Sequence, residues 1–261
     1  MINVEKLRLE FPILSRQVNG KPLVYLDNGA SSQKPKVVID AISNSYSNEY
    51  SNVHRGLHYL SNLATDNYER VRSIIQKFLS AEHEDEIVFT SGTTEGINLA
   101  AYAWAMQHLS KDDEIILSVM EHHANIVPWH FLRERLGVRL KWVDCDSNGN
   151  LDPQRIIDQF TEKTKLLAIT HMSNVLGTVV DVKTLCHEAR TKGIVSLVDG
   201  SQAAVHMPVN VSDIGCDFYA ITGHKLCGPS GSGALYVRNE IQKTMRPFLG
   251  GGDMIKDVFK D

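Results

Sequence analysis

From Glu86 to Val237 the chain alternates seven short β-branched runs with helical patterns. Strands separated by helices cannot be joined as hairpins, so this order predicts an α/β fold with a mostly parallel sheet and crossover helices. The runs are EIVFT (86–90), EIILSV (114–119), VRLKWV (138–143), KLLAIT (165–170), IVSLVD (194–199), DFYAIT (217–222) and GALYV (233–237). Helix ends are legible between them. Asp152-Pro153 reads as an N-cap with proline in the first helical position, and Ile156, Ile157 and Phe160 form its inward stripe. Val182, Leu185, Cys186 and Ala189 recur at helical spacing before Gly193, which is suited to end that helix. Residues 60–79 predict another amphipathic helix, through Leu60, Leu63, Tyr68, Val71, Ile75 and Phe78. Residues 1–58 are less regular and richer in Asn, Ser and Gly.

Five polar clusters follow strands immediately: SGTTEG (91–96), EHH (121–123), HMSN (171–174), DGSQ (199–202) and GHK (223–225). Ligands of open parallel sheets bind beyond the carboxyl ends of the strands, so the five are expected to converge on one crevice. SGTTEG opens a helix that continues through Ile97, Leu99, Ala100 and Ala103. It reads equally as a simple N-cap or as a phosphate cradle of backbone N–H groups and threonine hydroxyls. Lys225, taken alone, is an ordinary surface lysine. Between an apolar strand and a glycine-rich turn it could instead be a nucleophile of lowered pKa. Asp199 ends an apolar strand, where a carboxylate is costly unless it caps a helix or meets a cation. A histidine of the EHH pair could pack in the core, bind metal or stack on a flat ligand. Together, a phosphate cradle, an imine-forming lysine, a buried carboxylate and a stackable ring are the parts that hold pyridoxal 5′-phosphate.

The ordered segments YLDNGASSQKP (25–35), NVHRGLHYLS (52–61), TSGTTEGINL (90–99), MEHHANIVPWH (120–130), ITHMSNVLGT (169–178), VDGSQAAVHMPVNV (198–211), CDFYAITGHKLCGPSGSGALYV (216–237) and LGGGDMI (249–255) resemble the landmarks of cysteine desulfurases. These are class-V-aminotransferase-like enzymes of fold type I, and the RGLHYLS and THMSNVLGT forms are most similar to the SUF-type branch, also described as selenocysteine lyases. The resemblance implies a three-layer large domain over residues 59–261 and an N-terminal arm with substrate-pocket segments over 1–58, with the family's C-terminal small domain absent. It also implies that Lys225 holds the cofactor covalently, Asp199 partners the pyridine nitrogen and His123, rather than His122, stacks on the ring. Lys225, His123 and Asp199 would be the catalytic set. Gln202 and Asn174 would lie by the phenolic oxygen or ring, and Thr93, Thr94, Thr222 and His224 would hold the phosphate. Gly29, Ala30, His54 and Asn174 would line the substrate pocket, with the HRG segment reaching across a homodimer. The implied reaction converts L-cysteine, or L-selenocysteine, to L-alanine and passes sulfur to an acceptor protein for iron–sulfur cluster assembly.

Two departures from the pattern matter. Cys227 stands where relatives carry a bulky residue after GHK-x. None of Cys145, Cys186, Cys216 and Cys227 matches the family's nucleophilic cysteine, which, like the arginine gripping the substrate carboxylate, would lie beyond residue 261. The cysteines form no C-x-x-C pair, so neither a structural zinc site nor a disulfide framework is expected. A metal enzyme using His122, His123 and His130 is the rival from another class, and it lacks an H-E-x-x-H arrangement. A different class-V enzyme, such as an aminotransferase, would share the proton chemistry, whereas a non-catalytic form would bind the cofactor without turnover. A formal charge of −4 offers no footprint for nucleic acid. Uncharged runs are too short to cross a bilayer, and the charged opening MINVEKLRLEFP predicts a cytoplasmic chain with no membrane partner.

Overall fold

A computed structural model describes residues 3–54, 56–252, 254 and 257. All seven expected strands form one sheet: β1 (Ile87–Thr90), β2 (Glu114–Ser118), β3 (Arg139–Val143), β4 (Thr164–Thr170), β5 (Val195–Asp199), β6 (Phe218–Thr222) and β7 (Gly233–Val237). Their spatial order is β1-β7-β6-β5-β4-β2-β3. Strands β3, β2, β4, β5 and β6 pair in parallel, whereas β7 is antiparallel to both β6 and β1. Two reversals leave β1 running with β6. The ends of β1, β2, β4, β5 and β6 therefore all face one edge of the sheet.

Both faces of the sheet are covered, which explains why the strands read as continuous apolar runs rather than alternating ones. Ile115, Leu117, Leu166, Ala168, Leu197, Phe218 and Ala220 face one layer, formed with Ile97, Trp104, Trp129 and Leu132. Their strand neighbours Ile116, Leu167, Ile169, Val198 and Tyr219 face the other, formed with Ile156, Val182, Leu185, Cys186 and Ala189. Each fully buried Leu or Ile contributes about 1.5–3 kcal/mol of burial. Helix α1 spans Tyr59–Leu79, and the helix opened by SGTTEG, α2 (Thr93–Leu99), continues through a wider π-turn at Ala100–Ala105. Helix α3 (Val127–Leu136) lies in its layer, and α4 (Val182–Thr191) ends just before Gly193 with Asp181 as its N-cap. Asp152 likewise caps Pro153–Ile157 by accepting from the Gln154 N–H.

The helix expected over residues 60–79 is α1, but its apolar face is only partly covered. Val71 and Phe78 are 44% and 46% exposed, and only Ser61 and Leu79 of the helix are buried. The reason is position: α1 sits beside the edge strand β1, not over the sheet. It meets that strand through Tyr68, whose ring lies edge-on to Phe89 at 4.8 Å, and through Arg72, 4.5 Å above the Phe89 ring. No described residue before Ser61 is buried. The described residues up to 58 thus lie along the surface, with a two-stranded ribbon of Gln17–Val18 and Lys21–Pro22.

Candidate active site

The crevice of about 600 Å³ at the shared edge is lined from all five clusters and from the arm. The first wall is the start of α2. Gly92, at φ +150°, precedes the helix and has no side chain to cap it, so the N–H groups of its first turn are left for an anion. A Cβ on Gly92 would lie 3.2 Å from Thr222 Oγ1, and one on Gly233 would meet the Gly92 backbone at 2.6 Å. These glycines let β7, the end of β6 and the helix start approach one another closely. The capping alternative for the threonines is not what the structure adopts. Thr93 Oγ1 bonds Ser201 Oγ at 2.7 Å instead, and Glu95 accepts from the Ser91 N–H. Thr93, Thr94, Thr222 and His224 all face the crevice.

Asp199 ends β5 with only 4% of its surface exposed. Its Oδ1 accepts from the Ser201 N–H at 2.9 Å and from Ser201 Oγ at 2.6 Å. Ser201 thereby links the carboxylate to Thr93, a role that the strand-end pattern did not single out. Its place two residues after the strand-ending aspartate, where a hydroxyl reaches back to the carboxylate, was the available signal. Lys225 lies on the three-residue turn Gly223–Lys225 that leaves β6. Burial holds its ammonium below the usual lysine range, while the Asp199 carboxylate pulls the other way. Asn174 and Gln202 line the same space, and Gln202 Nε2 donates to the Gly29 carbonyl at 2.8 Å. That bond brings Gly29 and Ala30 of the arm to the crevice.

Two expected residues fall elsewhere. His122, not His123, lines the crevice. His122 is extended at the N-cap of the short turn His123–Asn125, where its Nδ1 accepts from the Ala124 N–H at 3.1 Å, and the turn carries the His123 ring off at 46° to it. Partial burial lowers the His122 pKa, Asp199 opposes this, and Lys225 and His123 add to it. His123→Ala should therefore leave the absorption spectrum of added pyridoxal phosphate nearly unchanged, whereas His122→Ala should alter it and weaken binding about tenfold; the reverse ranking rejects the assignment. His54 is outside the crevice of its own chain. Its Nε2 contacts Glu69 Oε1 at 2.9 Å and its N–H donates to Thr65 Oγ1, which keeps it beside α1. Arg55 of the HRG segment, and Asp253 and Ile255 of LGGGDMI, lie outside the described residues.

Behind His122, Glu121 is buried, with Ser118 Oγ at 2.6 Å and Asn125 Nδ2 at 2.7 Å; Asn125 in turn accepts from Trp129 Nε1. Burial above all, and the Asp199 charge in addition, push its carboxyl from 4.5 up to about 8, against the hydrogen bonds it accepts. A carboxyl raised on folding contributes stability that is complete below about pH 4.5 and is lost as pH rises towards 8. Across that window the wild-type chain should lose up to about 1.4 kcal/mol per pH unit relative to Glu121→Gln. Urea unfolding of both proteins from pH 5 to 8.5 checks this, and parallel curves would exclude it.

The parts present suit pyridoxal phosphate: a lysine of lowered pKa, a buried carboxylate, a ring on the wall and an uncapped helix start within one crevice. Among the described residues no group of three His, Cys, Asp or Glu side chains is arranged to hold a metal ion. The family description Aminotransferase class-V matches residues 24–261. The chain belongs to the class-V aminotransferase family. Class-V members are pyridoxal-phosphate-dependent enzymes, and the three-layer sheet is the large domain of fold type I. The chain is 51% identical over 257 residues to the probable cysteine desulfurase of Xylella fastidiosa (strain Temecula1 / ATCC 700964), covering 98% of itself and 62% of that protein. It is 49% identical over 261 residues to the cysteine desulfurase of Escherichia coli (strain K12 / DH10B), covering 99% of itself and 64% of the relative. Among solved structures it is similar to the cysteine desulfurase CsdA (S-sulfonic acid) from Escherichia coli, with a TM-score of 0.89 and 38% identity over 100% of this chain and 64% of that one. The apo cysteine desulfurase of Thermococcus onnurineus NA1 gives a TM-score of 0.91 and 38% identity, over 100% and 63%. This class-V chain thus spans less than two thirds of the length of each of these relatives. No helix among its described residues is long and apolar enough to cross a membrane.

Proposed function

We propose that this chain is the cofactor-binding part of a cysteine desulfurase. Residues 59–261 would form the large domain and 1–58 an arm that roofs the substrate pocket. The observation carrying this reading is the meeting of Lys225, Asp199, His122 and the uncapped start of α2 in one crevice. The kinship with proteins named cysteine desulfurase favours L-cysteine as substrate over other amino acids.

When bound there, pyridoxal phosphate supplies an electron sink for charge developing at the substrate Cα. Thr93, Thr94, Thr222 and His224 with the α2 N–H groups would hold its phosphate, and Gln202 and Asn174 would lie by its phenolic oxygen or ring. Asp199 would partner the ring nitrogen, and His122 would stack on the ring. Lys225 would attach the cofactor through its ε-amine and, once free, would take and return the proton at the substrate Cα; burial, which lowers its pKa, favours the neutral amine that this exchange needs. Gly29 and Ala30 limit the pocket on the arm side.

Sulfur transfer needs a thiolate facing the substrate. Cys186 and Cys216 are fully buried, and burial pushes the Cys186 thiol up to about 12 and the Cys216 thiol well above its usual range. Neither Cys145 nor Cys227 lines the crevice. The 261-residue chain should then exchange the Cα proton of L-cysteine without sustained desulfuration. In the whole protein a cysteine outside this chain would accept the sulfur and deliver it to an acceptor protein for iron–sulfur assembly, in a cytoplasmic homodimer. Incubation with pyridoxal phosphate, L-cysteine and a thiol reductant in deuterated water tests the reading. Deuterium should appear at Cα, with little alanine or sulfide. Absence of exchange rejects the desulfurase reading, and repeated turnover abolished by Cys227→Ala would make Cys227 the nucleophile.

A further inference from the structure

The SSQKP segment of the arm has no part in the site as described, yet its polar groups converge on one carbonyl. The His224 oxygen receives the Ser32 N–H at 3.0 Å, Ser32 Oγ at 2.9 Å and Lys34 Nζ at 2.9 Å, with Ser31 Oγ more distant at 3.4 Å. A carbonyl has two lone pairs, so such crowding is unusual for neutral donors. An ammonium makes it favourable, because a charged donor forms the stronger bond. Lys34 Nζ also donates to the Ser32 carbonyl at 2.6 Å, so one cation staples the arm to the turn. Two residues beyond Lys225, the Cys227 N–H donates to Ser32 Oγ at 2.9 Å. Cys227 sits at φ +60°, a left-handed conformation that a non-glycine side chain adopts only when its surroundings hold it there.

The peptide unit gripped in this way is the one joining His224 to Lys225. Its orientation sets the direction in which the Lys225 side chain leaves the turn. We infer that Lys34 is a positioning residue for Lys225, its ammonium clamping the His224 carbonyl so that the ε-amine is aimed into the crevice. This inference rests on the cofactor reading above. Burial lowers the Lys34 pKa and the Cys227 thiol opposes that shift. The Lys34 charge also helps keep the His224 pKa down, after burial and Lys225.

The capture of free pyridoxal phosphate by the cofactor-free protein tests the clamp. In that reaction the Lys225 amine adds to the aldehyde carbon, water leaves, and a C=N bond forms without change of oxidation state; borohydride then reduces it to a stable C–N bond. Lys34→Met keeps the stem and removes the charge, and should slow capture about tenfold, a cost typical of a misaimed reacting group. Lys34→Arg, which restores a cationic donor, should recover most of the rate. Lys36→Met removes a surface cation paired with Asp40, away from the His224 carbonyl, and should behave as wild type. Peptide mapping after borohydride identifies the lysine modified. Capture by Lys34→Met at the wild-type rate overturns the clamp. So does a loss shared equally by Lys34→Met and Lys34→Arg together with a lowered unfolding temperature, since that marks a purely structural role. No capture at Lys225 in the wild-type chain overturns the cofactor reading itself.

Discussion

Lys225→Ala is expected to abolish borohydride fixation of pyridoxal phosphate and to slow Cα-proton exchange of L-cysteine about a thousandfold, within the range for loss of a positioned acid–base group. The expectation follows from where the lysine stands. It leaves the end of β6 into the crevice, where burial lowers its pKa and makes the neutral, nucleophilic amine more available than on a surface lysine. The His224–Lys225 peptide is held from the arm, so the amine is presented in a defined direction. Alanine removes the amine but leaves the backbone of the turn intact, and thermal unfolding should change little. Mapping of the reduced protein is decisive. Lys34 is the other half-buried ammonium near the turn, and an adduct on Lys34 rather than Lys225 would dismantle the site assignment.

Asp199→Asn is expected to weaken retention of pyridoxal phosphate about tenfold to a hundredfold, the equivalent of roughly 1.5–3 kcal/mol for a hydrogen bond to a charged partner. Proton exchange should slow further, because a carboxylate opposite the ring nitrogen favours its protonated form and thereby draws charge from the substrate Cα. Asparagine keeps the shape and one acceptor for the Ser201 N–H and hydroxyl, so the link onward to Thr93 can persist. The charge alone is removed. Equilibrium dialysis of the cofactor, with exchange followed by NMR in the same variant, separates binding from chemistry. Unchanged values in both would show that Asp199 serves only as the anchor of the Ser201 turn.

Much of the architecture was open to reading because its causes are local. The seven strands announce themselves by β-branched runs, and those runs are continuous because helices cover both faces of the sheet. Asp152 marks a helix start because its short side chain reaches a free N–H two residues ahead. Polar residues at strand ends identify the crevice edge for the same reason: an apolar run stops where its strand leaves the core. The apolar spacing of α1 revealed a helix truly, but spacing carries no information about what covers that face.

The amino-acid sequence by itself therefore determined the order of elements, the apolar periodicity of each and the polar groups that stand at the strand ends. Only the tertiary structure decided the placement of β7 antiparallel between β1 and β6, which turns the end of β1 and the start of α2 into the crevice. It also chose His122 over His123, since the turn at 122–125, held behind by Glu121, Asn125 and Trp129, sets which ring points inward. His54 turned to Glu69, and the arm found Gln202 and the His224 carbonyl, partners far away along the chain. Periodicity is set by neighbours a few residues apart, whereas a side chain's direction and its distant partner are settled by which surfaces pack together.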